Sequence, residues 1–533
     1  SCCTSASSPY SAGVVALLIS AARQSKVGYS LESLSRAMKV TARVLQGFQA
    51  YQQGNGALDI NAAWGELATP FDPPRIVAST AIVHPLAQYA ARGPEGQGIL
   101  EFEGWAAGMN GTREIRLRRE SGAVQPVIYR LAWSADDGTF TTPPSVTLPL
   151  GEAIPLQVNV NVKTSGAHSG LLTLHDLDTD AVVFRTQATI VASERIDPAT
   201  GSLELKGTVG LMQQNAHYLQ VPAGAAAIAF ELEVTRGVVT PTILQSHGLP
   251  SSYYMHAHPM NIFSIGPGKY HILMPNPEPG TWTLRLKNAS TWFPAGFKLG
   301  PRNDDEADYA LTMRVLGSSI RPAAPADGRV ALELVNEGSP IAEPVIEAWN
   351  GSLRTHRATF ERNGLPNVID IEVPADAASL SLQLRSEHPG TNTELYLYDC
   401  TTGECFSYDI AFPAARSQTL LVRKPSPGRW VAAVNAAPFP ASSGSFVLDE
   451  VITTGTPRRR ASAAARVPGA RWREVIDNLP APPAVKGRTP VVFFELLDAA
   501  AERAESEHPW TSHERFVKMR DRPVALGTAI YRR

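Results

Sequence analysis

From Arg75 to about residue 455 the chain repeats one pattern. Apolar and polar residues alternate with period two over short runs, and Gly or Pro breaks each run. Ile99-Leu-Glu-Phe-Glu, Glu114-Ile-Arg-Leu-Arg and Leu156-Gln-Val-Asn-Val-Asn-Val alternate in this way, and Leu171-Leu-Thr-Leu-His and Val182-Val-Phe-Arg add shorter runs. Period two places the apolar side chains of a strand on one face, so each run predicts a sheet with one wet face. Many such faces are most simply buried in two-layer antiparallel sandwiches. The 41 Gly and 42 Pro supply the turns. A chain of 533 residues with 44% hydrophobic content can fill three or four separate cores.

Two of the later segments read as diverged copies of one domain. Val221-Pro222-Ala223 followed by Ile228-Ala-Phe-Glu-Leu-Glu-Val matches Val373-Pro374-Ala375 followed by Leu380-Ser-Leu-Gln-Leu. Pro279-Gly280-Thr281-Trp282 matches Pro427-Gly428-Arg429-Trp430. The two matches lie 152 and 148 positions apart, which predicts one repeated sandwich. In each copy the Pro-Gly pair makes a turn and the Trp then enters a strand, where its ring can fill the core. A sugar-stacking platform is the alternative use of Trp282 and Trp430.

The net charge of −2 gives no electrostatic case for nucleic acid or an anionic membrane. No apolar run approaches the roughly 20 residues that cross a bilayer. Of the four cysteines, Cys400 and Cys405 flank Thr-Thr-Gly-Glu and could form a local bridge or remain free. Cys2 and Cys3 are adjacent, which suits neither zinc nor an ordinary disulfide. His256-Ala257-His258 lacks a nearby carboxylate pair, and Asp399 and Asp304-Asp305-Glu306 read as solvated acidic loops rather than calcium sites. No metal and no cofactor is expected.

The chemistry is concentrated at residues 1–67. Ser1-Cys2-Cys3-Thr4-Ser5-Ala6-Ser7-Ser8-Pro9-Tyr10-Ser11-Ala12-Gly13 opens into the apolar run Val14 to Ala22, expected as a central helix buried on all sides. A hydroxyl presented at a helix N-terminus meets unpaired N–H groups and a dipole that favour developing negative charge. A second helix is expected from Ser30, its cap, to about Val44. Gly54-Asn55-Gly56-Ala57-Leu58-Asp59-Ile60-Asn61-Ala62-Ala63-Trp64 then reads as a glycine turn, a short strand and a last helical turn.

Thr4 to Pro9 with Ala12-Gly13 resembles the nucleophile segment of the subtilisin-like serine peptidases, usually G-T-S-x-[A/S]-S-P followed by A-G. The Gly54–Trp64 segment is similar to the element with which those catalytic domains commonly close. Ser-Ser after the nucleophile, and the stretch from Val27-Gly28-Tyr29-Ser30 to Thr41-Ala42, look most like the tripeptidyl peptidase II branch. The resemblance implies that Ser5 is the nucleophile of peptide-bond hydrolysis through an acyl-enzyme, by an endopeptidase or a tripeptidyl-peptidase acting on peptide or protein substrates. The chain departs from the pattern at Cys3, where the family has Gly, a residue that gives backbone freedom or clearance. The family's Asp, His and oxyanion Asn all precede its serine. The resemblance therefore implies a fragment that begins inside a catalytic domain and is inactive alone.

The expected architecture is multidomain: the C-terminal remnant of an α/β subtilisin-like catalytic domain followed by all-β sandwich and jelly-roll domains. Residues 1–68 would end the catalytic domain and 75–195 would form a fibronectin-like sandwich. Two jelly rolls would follow, over 196–320 and 321–455, and 456–533 would be a basic linker and a small α/β tail. Pro457-Arg458-Arg459-Arg460 marks that linker. The copies resemble accessory domains of secreted bacterial peptidases, which implies export, with a cytoplasmic location as the alternative. A non-catalytic β-sandwich adhesion or carbohydrate-binding protein is the competing reading. Oligomeric state is not legible.

Overall fold

The computed structural model describes residues 4–69, 73–87, 94–211, 213–246, 266–275, 277–288, 306–323, 329–361, 365–387, 393–411, 417–436, 443–477, 484–500 and 525–532. The chain is β-rich and divides into two compact units, residues 1–194 and 195–533, each with its own cores.

In the first unit helices α1 (Thr4–Ser25), α2 (Leu31–Thr41), α3 (Ala50–Gln53) and α4 (Ile60–Ala68) precede a sandwich. Ser30 caps α2: its Oγ accepts from Ser33 N at 3.0 Å, and Ser33 Oγ accepts in return from Ser30 N at 2.8 Å. The expected all-round burial of α1 is corrected. The helix buries only the stripe Val14, Leu18 and Ala22, against Leu34, Ala37, Ala63 and Leu67, and leaves Tyr10 and Leu17 61% and 60% exposed. Among the described residues α1 packs on α2 and α4 from one side, so the i, i+4, i+8 spacing decides which apolar residues are covered.

Strand Ile76–Val83 joins the two layers of the sandwich. Its first half pairs antiparallel with Asn110–Arg119, and Ile82 and Val83 pair parallel with Leu100–Trp105. One layer continues through Ala153–Asn161 and the other through Val182–Ala192, Gly166–Asp176 and Val127–Ser134. Ile115, Leu117, Leu156 and Val158 from the first layer meet Leu172, Leu174 and Ile190 from the second around Trp105 and Phe140. These are the inward positions of the period-two runs.

The second unit holds two sandwiches of related plan. In the first, Ser202–Gly210, Glu306–Leu316, Ala227–Arg236 and Gly268–Pro275 form one sheet, and Gln214–Val221, Gly280–Lys287 and Thr240–Leu244 form the other. Trp282 packs in the core between them, 1% exposed. In the second, Asn367–Val373, Gly428–Ala436, Thr393–Asp399 and Phe406–Ala411 face a larger sheet. That sheet runs Ser417–Arg423, Ala377–Ser386, Ser443–Ala461, Pro344–Glu361, Thr489–Asp498 and Gly527–Arg532, and Trp430 is fully buried between the layers. A third small sheet, Ser318–Pro322, Val330–Asn336 and Arg471–Ile476, packs on the far end of the larger one through Leu332, Leu334, Ile346, Phe494 and Leu496.

The tail therefore corrects the sequence reading. Arg458–Ala461 is strand, paired with Val345–Ala348, and Thr489–Asp498 and Gly527–Arg532 extend the same sheet. The expected breaks near 320 and 455 fall inside the strands Ser318–Pro322 and Ser443–Ala461. A triple-arginine run reads as a solvated linker until its partners are known. Here Arg459 meets Glu347 at 3.1 Å, Arg460 meets Glu474 at 3.4 Å, and Arg458 Nη1 donates to the Asp477 carbonyl at 3.1 Å. A cross-strand carboxylate, Glu347, and a second one, Glu474, from the small three-stranded sheet make this basic strand tolerable.

Candidate active site

Ser5 lies in the first turn of α1, which continues without a break through Pro9 to Ser25. Pro9 has no N–H, so the Ser5 carbonyl, four residues back, lacks its ordinary helical donor. Cys2 and Cys3 lie outside the described residues, as do His256, His258, Asp304 and Asp305.

The elements that hold α1 are built from the closing motif. Gly54 and Gly56 have φ of 61° and 109°, and a Cβ on Gly56 would stand 2.3 Å from the Arg43 carbonyl oxygen. Only glycine allows that close approach, which lets Arg43 and Ala57 exchange hydrogen bonds of 2.8 and 2.9 Å. Asp59 then caps α4 by accepting from Ala62 N at 3.0 Å. Arg36 and Glu66 form an ion pair that ties α2 to α4.

Sequence reasoning missed the residues that fasten these helices to the sandwich. The guanidinium of Arg185, on strand Val182–Ala192, donates to the carbonyls of Lys39 (2.9 Å), Val40 (3.1 Å), Ala42 (3.3 Å) and Asn55 (3.1 Å). It thereby serves carbonyls left open at the C-terminus of α2. Burial pulls Arg185 below the usual arginine value. Beside it, Tyr51 N donates to Ser169 Oγ at 2.8 Å and Ser169 N donates to Gln49 Oε1 at 3.0 Å. Nothing in the local sequence marks these residues, since an Arg in an alternating strand is ordinarily a solvated one.

His168, His217 and His356 are held by partners within the β domains. His168 is 4% exposed, with Nδ1 2.7 Å from Asp137 Oδ2 and Nε2 2.8 Å from the Thr164 carbonyl. Burial alone would raise Asp137, but hydrogen bonds from Thr139 and His168 outweigh it and hold the carboxyl below its usual value. This is an Asp–His pair whose second ring nitrogen is already used, so it has no free nitrogen to take a proton from a serine. His356 Nε2 meets Glu450 Oε2 at 2.8 Å, and His217 Nε2 meets Tyr309 Oη at 2.7 Å.

The other sequence candidates have structural roles. Trp282 and Trp430 are buried and donate from Nε1 to the carbonyls of Glu278 (2.8 Å) and Ser426 (2.9 Å), the residues four positions before them, so both fill cores and neither is a surface platform. Asp399 accepts from the N and Oγ1 of Thr401, and Glu306 pairs with Arg236. No group of three His, Cys, Asp or Glu among the described residues is placed to hold a metal ion. Cys400 and Cys405 form a disulfide across their turn.

Residues 79–192 match the family described as the Ig-like domain in actinomycete serine proteases, where the sequence reading expected a fibronectin-like sandwich. Pyrolysin of Pyrococcus furiosus is 22% identical over 461 residues, 80% of this chain and 30% of Pyrolysin. Tripeptidyl-peptidase 2 of Drosophila melanogaster is 42% identical over 64 residues, 12% of this chain and 4% of that protein. The solved structure of Tripeptidyl Peptidase 2 covers 96% of this chain with 47% of its own length, at 14% identity and a TM-score of 0.49. The chain thus spans less than a third of the curated relatives it matches. The serine segment, the closing glycine element and the Ig-like domain, found in one chain, make it similar to the subtilisin-like serine peptidases, a likeness that these relatives support.

Proposed function

We propose that this chain contributes the nucleophile segment and accessory domains of a secreted subtilisin-like endopeptidase, with Ser5 as the nucleophile. The observation that carries the reading is the position of Ser5 in the first turn of a long helix, ahead of Ser7-Ser8-Pro9 and followed by the closing element that supports that helix. In the proposed reaction the Ser5 hydroxyl adds to the scissile carbonyl and its proton passes to a base. The amine leaves with that proton, and water then releases the acyl group and restores the hydroxyl. No residue of this chain is assigned as base, orienting acid or oxyanion donor. The Ig-like domain and the Cys400–Cys405 disulfide support export, because such bonds persist in oxidising compartments.

The test is to treat the complete protein with a fluorophosphonate probe and map the adduct. Modification of Ser5, abolished in Ser5→Ala, is the expected result. Modification of another serine, with Ser5 untouched, would overturn the assignment. Product analysis on an amino-terminally blocked peptide separates the two modes: internal cleavage is expected here, whereas a tripeptidyl-peptidase would require the free amino terminus.

A further inference from the structure

The two related sandwiches of the second unit share their buried Trp but differ on the outer face of the Trp-bearing sheet. In the second copy, Thr393–Asp399 runs beside Gly428–Ala436, with Tyr398 opposite Val431 and Tyr396 opposite Ala433. On the other side of Gly428–Ala436, Asp370 stands opposite Val431 and Val368 opposite Ala433. The two tyrosine rings are half-buried and nearly parallel, with centroids 6.5 Å apart and planes 16° apart. Counting from the shared Trp, the first copy carries Leu244 and Thr242 at the matching places, opposite Thr283 and Arg285. The core has therefore been kept in both copies, and the aromatic pair belongs to one outer face alone.

We propose that Tyr396 and Tyr398 form a stacking platform for a neutral polysaccharide. Both neighbours of Thr393–Asp399 are hydrogen-bonded to it, so no strand edge is open there for an extended peptide to add to. A ligand on this face must be held by side chains. Ring faces carry partial negative charge that attracts the polarised C–H groups of a sugar ring, and two nearly parallel rings suit a polymer of such rings. The rim offers planar polar groups of both signs for hydroxyls in the exposed pair of Asp370 with Arg429 at 2.8 Å, while the buried Glu394 accepts from Tyr396 Oη at 2.8 Å and anchors that ring. Mixed charge of this kind disfavours a polyanion. The inference is independent of the peptidase reading, since binding needs no catalysis.

Affinity gel electrophoresis of the whole chain, with hydroxyethyl cellulose, laminarin or glycol chitin in the gel, tests it. At least one polymer should slow migration. Tyr396→Thr with Tyr398→Leu, the residues that the first copy already accommodates, should weaken the effect at least tenfold while far-ultraviolet circular dichroism stays unchanged. Tyr398→Phe keeps the ring and should retain binding. The proposal is overturned if none of the three polymers slows the native chain. It is also overturned if the Thr/Leu variant binds as well as native, or if Tyr398→Phe abolishes binding. Tyrosine-dependent capture of a proline-rich peptide in place of the polymers would overturn it as well.

Discussion

Arg185 shows how one side chain can settle the position of several elements. Its guanidinium reaches four carbonyls at the end of α2 and in the closing turn, which lie 130 to 146 positions away in sequence. Hydrogen bonds from a charged donor contribute more than neutral ones, and carbonyls stripped of their donor in a half-buried seam lose part of their solvation. Arg185→Ala should therefore destabilise the first unit by about 3 kcal/mol. Lysine is not a substitute for a planar fork, so Arg185→Lys should recover less than half of that loss. Urea unfolding followed by hydrogen exchange at the α2 amides measures both. A loss below about 1 kcal/mol for the alanine variant would mean that water serves those carbonyls equally well.

At the scale of elements, the largest sheet of the second unit buries two carboxylates with opposite pH behaviour. Glu450 accepts from His356 Nε2 at 2.8 Å and Arg488 Nη1 at 2.6 Å. Burial alone would raise it, but these partners together outweigh burial and hold it below the usual glutamate value. Its stabilising contribution is thus present above the unfolded value and lost as pH falls through the folded one. Glu495 is gripped by both terminal nitrogens of Arg423, at 3.0 and 3.2 Å, yet burial dominates and raises it. The folded state then holds a proton that the unfolded state has already released, so stability falls as pH rises through that window. Glu450→Gln should cost progressively more stability from about pH 3 to about pH 7, and Glu495→Gln progressively less over the same range. Equal slopes in the two unfolding series would refute this assignment of causes. The same sheet shows why the tail was misread in sequence. Charge in Arg458-Arg459-Arg460 signals solvent only until Glu347 on the paired strand and Glu474 on the small sheet are seen beside it.

For the molecule as a whole, what could be read in advance was what repeats locally. Period-two runs became strands, the matched Pro-Gly-x-Trp segments became the same core position in two sandwiches, and Ser30 became a cap. What could not be read was set by contacts distant in sequence: the single buried stripe of α1, the grip of Arg185, and the outer face that separates the second sandwich from the first. The role proposed for Ser5 rests on resemblance, and what that role requires bears on activity. Serine attack needs a base within hydrogen-bonding reach, oriented by an acid, and a donor for the oxyanion. In the family's order these precede the serine, whereas all twelve histidines here follow Ser5. Among the described residues, the buried His168, which pairs with Asp137, has both ring nitrogens engaged. The 533-residue polypeptide by itself should therefore hydrolyse no fluorogenic peptide above the rate of its Ser5→Ala variant. Turnover that this substitution abolishes would mean that one of the downstream histidines serves as the base, and the resemblance in residue order would then fail to describe the mechanism.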